Sequence, residues 1–254
     1  MTVLAPGVES WQPMPPAISP TLYGNVILAA VERQHAGRLD GLLEEQHLRM
    51  RESLLEAGDP TEYVYFPISG IISILLVLEN GMMIEFATVG REGMTGVPLF
   101  LGLEEANMAL VSQVPGEALR MSRLNFLAEV ARNAAFAAII GRYSGVMLAL
   151  VAQSAACNRA HHVDERCARW LLMTHDQAGA DAFPITQEFL AQMLGVSRPS
   201  VALSAEALQA DHLISYHRGQ LTILDRAGLE LAACECYAVI RERFRDFDNS
   251  LRVN

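Results

Sequence analysis

Between Thr61 and about Met121 the apolar residues come in short runs: YVYFPIS, GIISILLVL, MMIEFATV, ALVSQV and EALRM. Gly70, Asn80-Gly81 and Pro115-Gly116 separate them. Short apolar runs broken by turn residues predict strands, and Asn-Gly between two such runs predicts a hairpin. Several strands at this spacing predict an antiparallel sandwich or roll. Upstream, Leu39, Leu42, Leu43 and Gln46 follow a helical spacing, so Leu22 to about Leu55 reads as helix, ended by Gly58-Asp59-Pro60. Prolines at 6, 13, 15, 16 and 20 forbid regular structure in 1–21, which reads as a flexible tail.

After Ser122 the period changes. Phe136, Ile140, Tyr143, Met147, Leu150, Ser154, Cys157 and His161 are spaced alternately four and three apart, an unbroken heptad row. The narrowness of the row predicts a dimer seam from Phe136 to Cys157; burial of the same row within one chain is the competing reading. The stretch from Ala134 to Cys157 resembles a bilayer span in length, but it carries Arg142 and small polar residues, which favour a soluble helix.

Residues 162–254 read as a small helical domain. Thr186 is placed to cap one helix, whose apolar face is Leu190, Met193 and Leu194. Gly195 supplies a tight turn, Ser197 caps the next helix, and Pro199 suits that helix's first turn. Val201, Ala205 and Leu208 form its buried side. This pattern predicts a helix-turn-helix whose second helix is free to enter a major groove. The following LISYH and LTIL runs predict a hairpin wing with Arg218-Gly219 at its tip.

Composition narrows the choice. Of 254 residues, 51% are hydrophobic and 19% charged, enough for a packed core. The formal charge is −10, and all 19 basic residues are Arg. A polybasic binder is excluded, but a local cationic patch remains compatible with specific DNA contact. Cys157, Cys167, Cys234 and Cys236 all lie in the second half, which argues against a disulfide framework and for a reducing cytosol. No export signal is visible near Met1, and no membrane partner is expected.

Three stretches together resemble the Crp/Fnr family of bacterial transcription regulators across about 22–230. The first is Tyr65-Phe66-Pro67-Ile68-Ser69-Gly70 with the later Gly90-Arg91-Glu92-Gly93-Met94. The second is the long helix running into Asp164-Glu165-Arg166-Cys167-Ala168-Arg169-Trp170-Leu171-Leu172, and the third is the helix-turn-helix and wing ending at Leu229. The resemblance implies an α+β chain: an antiparallel jelly-roll-like sensor (22–132), a dimerisation helix (133–160), a winged helix-turn-helix (161–228) and a C-terminal helix (229–254). It implies a cytoplasmic homodimer on a roughly palindromic double-stranded site, with RNA polymerase and a small-molecule effector as further partners. Arg198 matches the base-reading Arg; Ser197, Pro199, Ser200 and Leu203 stand beside it. Thr186, Arg218 and Arg166 or Arg169 are the expected phosphate contacts, with ion pairing of the last two to Asp164 or Glu165 as the competing reading. Ser204 occupies a position where an apolar residue is common.

The departures bear on the signal. The sensor cassette maps to Gly93, Met94, Thr95, Gly96, Asn107 and Met108, with Gly96 where a ribose-binding Glu is expected and Asn107-Met108 where a phosphate-binding Arg is expected. No basic residue lies between Arg91 and Arg120. A cyclic phosphate would be buried without a cation, so tight cyclic AMP binding is not expected. No cofactor is expected: the cysteines do not form the family's N-terminal iron–sulfur set, and haem on His35 or His47 is disfavoured. Cys157 and His161 share a helix face, but two ligands are too few for a metal unless a dimer doubles them. Cys234 and Cys236 would diverge on a helix and read as inert packing. Two Cys157 thiols facing across a parallel dimer would permit a redox cross-link.

No catalytic signature is present: no G-x-S-x-G, H-E-x-x-H, P-loop or dinucleotide fingerprint. A metal-dependent roll enzyme fails because no His falls between His47 and His161. The sequence therefore reads as a DNA-binding regulator, with a sensor acting through a protein partner as the alternative.

Overall fold

The computed structural model describes residues 24–103 and 107–252; the proline-rich 1–21 lies outside the described residues. Helix α1 (Val26–Gln34) starts where the Asn25 carboxamide oxygen accepts from the Ile27 and Leu28 amides. The same side chain donates to the Pro67 and Gly93 carbonyls at 3.0 and 2.7 Å, tying the helix to the strands.

The helix does not continue to Leu55. The chain turns and enters β1 (Leu43–Leu48) and β2 (Ser53–Leu55). The helical spacing of Leu39, Leu42, Leu43 and Gln46 misleads because β1 is an edge strand, paired among the described strands with β7 alone. Its sequence, LEEQHL, shows no clean alternation of apolar and polar residues. Its backbone ladder to β7 is accompanied by two cross-strand side-chain contacts, Glu44 with Arg120 at 2.9 Å and His47 Nδ1 with the Glu117 carboxylate at 2.7 Å.

The apolar runs form β3 (Tyr63–Pro67), β4 (Ile71–Val77), β5 (Met83–Val89), β6 (Met108–Val114) and β7 (Gly116–Ser122), with a short α2 (Val97–Phe100) between β5 and β6. They make two antiparallel sheets, β1-β7-β3 and β2-β6-β4-β5, which share one apolar core. Asn80-Gly81 turns the β4–β5 hairpin, with the Asn80 side chain accepting from the Met82 amide. Gly70 and Pro115-Gly116 lie at two of the crossings from one sheet to the other, β3 to β4 and β6 to β7. Gly70 has φ +76°, and a Cβ there would lie 2.6 Å from the Val114 carbonyl oxygen, so the crossing excludes a side chain.

Ser122 caps α3 (Arg123–Arg132), and Asn133 caps α4 (Ala134–Ala160). The heptad row expected to be a dimer seam is buried inside its own chain: Phe136, Ile140, Tyr143, Met147, Leu150, Ser154 and Cys157 are each under one-tenth exposed. Phe136 to Leu150 join the core of the roll together with Ile240, Phe247 and Leu251 of α9 (Cys236–Arg252), and the Tyr143 and Phe247 rings lie 5.7 Å apart. A row spaced in threes and fours fits any helix packed lengthwise, and here that helix is supplied by the same chain. Alone among the described helices, α4 is long and apolar enough to cross a bilayer. Strands and α9 occupy its buried face instead, while Arg142 is exposed.

The remaining elements are α5 (Val163–Ala178), β8 (Ala182–Pro184), α6 (Gln187–Leu194), α7 (Arg198–Ala210), β9 (Ile214–His217), β10 (Gln220–Ile223) and α8 (Arg226–Ala232). They surround a second core of Trp170, Leu171, Leu172, Phe183, Leu190 and Leu208, to which the sensor contributes Leu75 and Ala109. The expected boundary at 228/229 falls inside α8, and α9 returns to the sensor core rather than forming an appendage.

Candidate nucleic-acid interface and sensor cavity

The helix-turn-helix is built by local chemistry. The Thr186 hydroxyl accepts from the Phe189 amide at the start of α6, and Gly195 ends that helix at φ +62°. The Ser197 hydroxyl then accepts from the Ser200 amide, and Pro199 sits in the first turn of α7. Val201, Ala205 and Leu208 face the core, as their spacing requires. Ser204, the polar residue at an apolar position, is also buried. Its hydroxyl donates to Asp164 on α5 and approaches the Ser200 carbonyl at 3.1 Å, so the site is satisfied without an apolar side chain.

The outer face of α7 carries Arg198, Pro199, Leu203 and Glu206, all exposed, with Ser200 half-buried beside them. Leu203 is 68% exposed, a large apolar side chain held in solvent. The wing is the β9–β10 hairpin, with exposed Arg218 at φ +49° on its tip.

Two expected phosphate contacts are placed elsewhere. Arg169 is buried, and its guanidinium donates to the Met173 sulfur at 3.2 Å. Arg166 is buried too, donating to the Leu194 carbonyl. The competing ion pairs do not hold these guanidiniums either: Asp164 serves Ser204, and the Glu165 carboxylate accepts from the His162 amide at 2.9 Å. Helix α5 packs with the face carrying both arginines against the protein, so neither reaches a duplex. Thr186 is engaged by Arg51, whose Nη2 donates to the hydroxyl at 2.8 Å from the sensor domain, 135 residues away. The Arg51 guanidinium also lies 5.9 Å from the Phe189 ring centre. No local pattern marks Arg51; only the tertiary fold brings it to the helix-turn-helix.

A second interdomain contact joins β5 to α5. The Trp170 indole N–H donates to the Glu85 carboxylate at 2.7 Å, and both residues are buried. Burial pushes Glu85 up to about 7, against the opposing influence of Ser73, the indole and the Arg169 charge.

The sensor domain holds a cavity of about 410 Å³ between the roll and α4. Of the expected pocket residues, Met94, Gly96 and Met108 line it, with Val97 and Leu101 beside them and Gly145 and Leu148 on α4. The other three do not. Gly93 gives its carbonyl to Asn25, the buried Thr95 hydroxyl accepts from the Tyr65 amide, and Asn107 reaches out to the Val77 carbonyl. Among the described residues, none that lines the cavity is charged. The nearest downstream cation in sequence, Arg120, is paired with Glu44 and stacked 4.2 Å over the Tyr63 ring.

The cysteine assignment also changes. Cys234 precedes α9 and Cys236 begins it, so the two thiols converge instead of diverging along one helix. Cys157 meets Cys234 within its own chain at 3.5 Å and cannot face a partner's Cys157. The Cys234 thiol beside it holds Cys157 below the usual thiol range, while the same contact and burial push Cys234 above it.

Comparison with known proteins agrees with this geometry. Residues 45–133 match the cyclic nucleotide-binding domain, and residues 165–232 match the Crp-like helix-turn-helix domain. No curated protein sequence matches the chain. Among solved structures, the c-di-GMP-responsive global regulator CLP of Xanthomonas campestris is 19% identical, with TM-score 0.61 over 77% of this chain and 98% of that one. FixK2 of Bradyrhizobium japonicum is 17% identical, with TM-score 0.60 over 76% and 98%. A Crp/Fnr-family transcriptional regulator of Thermus thermophilus is 18% identical, with TM-score 0.59 over 75% and 98%. At these identities the likeness is one of fold.

Proposed function

The chain belongs to the Crp/Fnr family of DNA-binding transcription regulators, and from that premise we propose that a dimer sets two copies of α7 into successive major grooves. The observation that carries this reading is Arg198, exposed at the Ser197-capped start of α7, where its guanidinium is free to reach guanine O6 and N7. Pro199 and Leu203 add apolar surface for thymine methyls, and Arg218 on the wing takes phosphate. Specificity then rests on one cation per half-site plus shape. Such binding controls the access of RNA polymerase in the cytoplasm and needs no catalytic group.

The dimer axis follows the outward row of α4: Ala138, Gly141, Gly145, Leu148, Ala152 and Ala155. Leu148 is 71% exposed there, and the small residues around it let a second copy of the helix approach closely. The roll senses something other than cyclic AMP. Its cavity is apolar, and a cyclic phosphate placed there would lack a compensating charge. An uncharged apolar effector fits the lining.

Footprinting on genomic fragments tests the reading. Protection of two half-sites about one helical turn apart is expected. Uniform binding, or none, would favour a sensor that acts through a protein partner.

A further inference from the structure

At the end of α4 four soft ligand atoms converge from two distant parts of the chain. Cys157 comes from the last turn of α4 and His161 from the residue that caps it, Cys234 from the loop before α9, and Cys236 from the start of that helix. Their ligand atoms all lie within 4.8 Å of one another. Cys157 Sγ is 3.5 Å from Cys234 Sγ, and Cys236 Sγ is 3.6 Å from His161 Nδ1. A tetrahedron with zinc–sulfur bonds of about 2.3 Å has edges of roughly 3.8 Å, so small inward movements suffice to close it. The three thiols are buried, which excludes competing water.

The surroundings suit a metal independently of that spacing. His161 turns Nδ1 toward the thiols while Nε2 meets the Glu235 carboxylate at 3.0 Å. A carboxylate on the outer nitrogen of a ligating His fixes the ring and raises its basicity, a recurrent support of zinc sites. Three thiolates and a neutral His around a divalent ion leave one negative charge. Arg166 and Arg169 are both buried, and their charges act on Cys157. The Nε atom of each has no hydrogen-bond partner among the described residues.

We propose that Cys157, His161, Cys234 and Cys236 form a tetrahedral site for a redox-inert divalent ion of the zinc class, one per chain. On binding, all three cysteines ligate as thiolates: any protons their sulfurs still carry go to solvent as three metal–sulfur bonds form, and His161 binds through Nδ1. The site fastens α9 to the junction between α4 and α5, the point at which sensor and DNA-binding domain meet. Tyr237, the next residue, donates to Asp176 on α5 at 2.8 Å and holds the ligand loop in place.

The full-length chain, purified under reductant, is assayed by elemental mass spectrometry; one zinc per chain is expected. Chain stripped by chelator is then titrated with cobalt(II). An endpoint at one equivalent is expected, with the strong visible bands of tetrahedral cobalt and a thiolate charge-transfer band. Cys236→Ser should lose one of three thiolate contributions and bind at least tenfold more weakly, whereas Cys167→Ser, buried away from the cluster, should titrate like the parent. Glu235→Gln should keep the tetrahedral spectrum but bind tenfold or more weakly, a readout that survives if the Ser variants fail to fold by circular dichroism. Three results overturn the site: no metal and no cobalt spectrum, a spectrum unchanged in Cys236→Ser, or iron as the resident metal. So does a Cys157–Cys234 disulfide whose reduction yields no cobalt binding.

Discussion

Trp170 donates its indole N–H to the Glu85 carboxylate at 2.7 Å, joining α5 of the DNA-binding domain to β5 of the sensor. Glu85 is buried, and the pair sits where the second core takes in residues of the roll. Together with the Arg51–Thr186 hydrogen bond it couples sensor and reader. A rearrangement of the roll that moves β5 therefore moves α5 with it.

The burial of Glu85 makes stability depend on pH, and the indole hydrogen bond only tempers it. Glu85 is raised from an ordinary 4.5 to about 7, so the folded chain holds its proton more tightly than the unfolded chain. Its stabilisation is fully present below about 4.5 and is lost as pH rises through 7. At about 1.4 kcal/mol per unit, the loss is on the order of 3 kcal/mol. Thermal melts between pH 5 and 8 should show the decline, and Glu85→Gln, neutral throughout, should flatten it. An unchanged slope in the Gln variant assigns the titration to another group.

The two rows of α4 should respond differently to charge. Leu148→Arg places like charges on the outward row of both copies and should give a folded monomer by light scattering. Met147→Arg buries an unpaired charge in the chain's own core, at a cost of several kcal/mol, and should unfold the protein instead. A folded, monomeric Met147→Arg together with a dimeric Leu148→Arg would return the dimer seam to the buried row.

Much of this was legible in the sequence because the signals were local. Turn residues at Gly70, Asn80-Gly81 and Pro115-Gly116 marked the strands, and Thr186, Gly195 and Ser197 marked the helix-turn-helix. What escaped depended on distant partners. The α4 row was visible, but nothing in it says that α9 would fill the groove. Cys157 and Cys234 are 77 residues apart, and their meeting depends on that same return of α9. The edge strand β1 is not legible from its own pattern, because what makes it a strand is its pairing with β7, 68 or more residues further along.

The cavity predicts the sensor's selectivity. Calorimetry with cyclic AMP at high micromolar concentration should record no heat, because no cation among the described residues lines the cavity that Gly96 and Leu148 border. A dissociation constant in the low micromolar range would show that backbone amides alone hold the phosphate.

The central claim is that α7 reads sequence through Arg198 while Arg218 only grips the backbone. Gel-shift titrations of Arg198→Ala and Arg218→Ala against a single-base operator library, at two salt concentrations, measure it most directly. Arg198→Ala should cost about 1–3 kcal/mol on the true site and flatten preference at one symmetric base pair per half-site. Arg218→Ala should weaken all sequences alike and lower the salt slope by about one unit for each phosphate no longer neutralised. If Arg198→Ala keeps the full base preference, the claim is contradicted and Arg198 is a phosphate clamp.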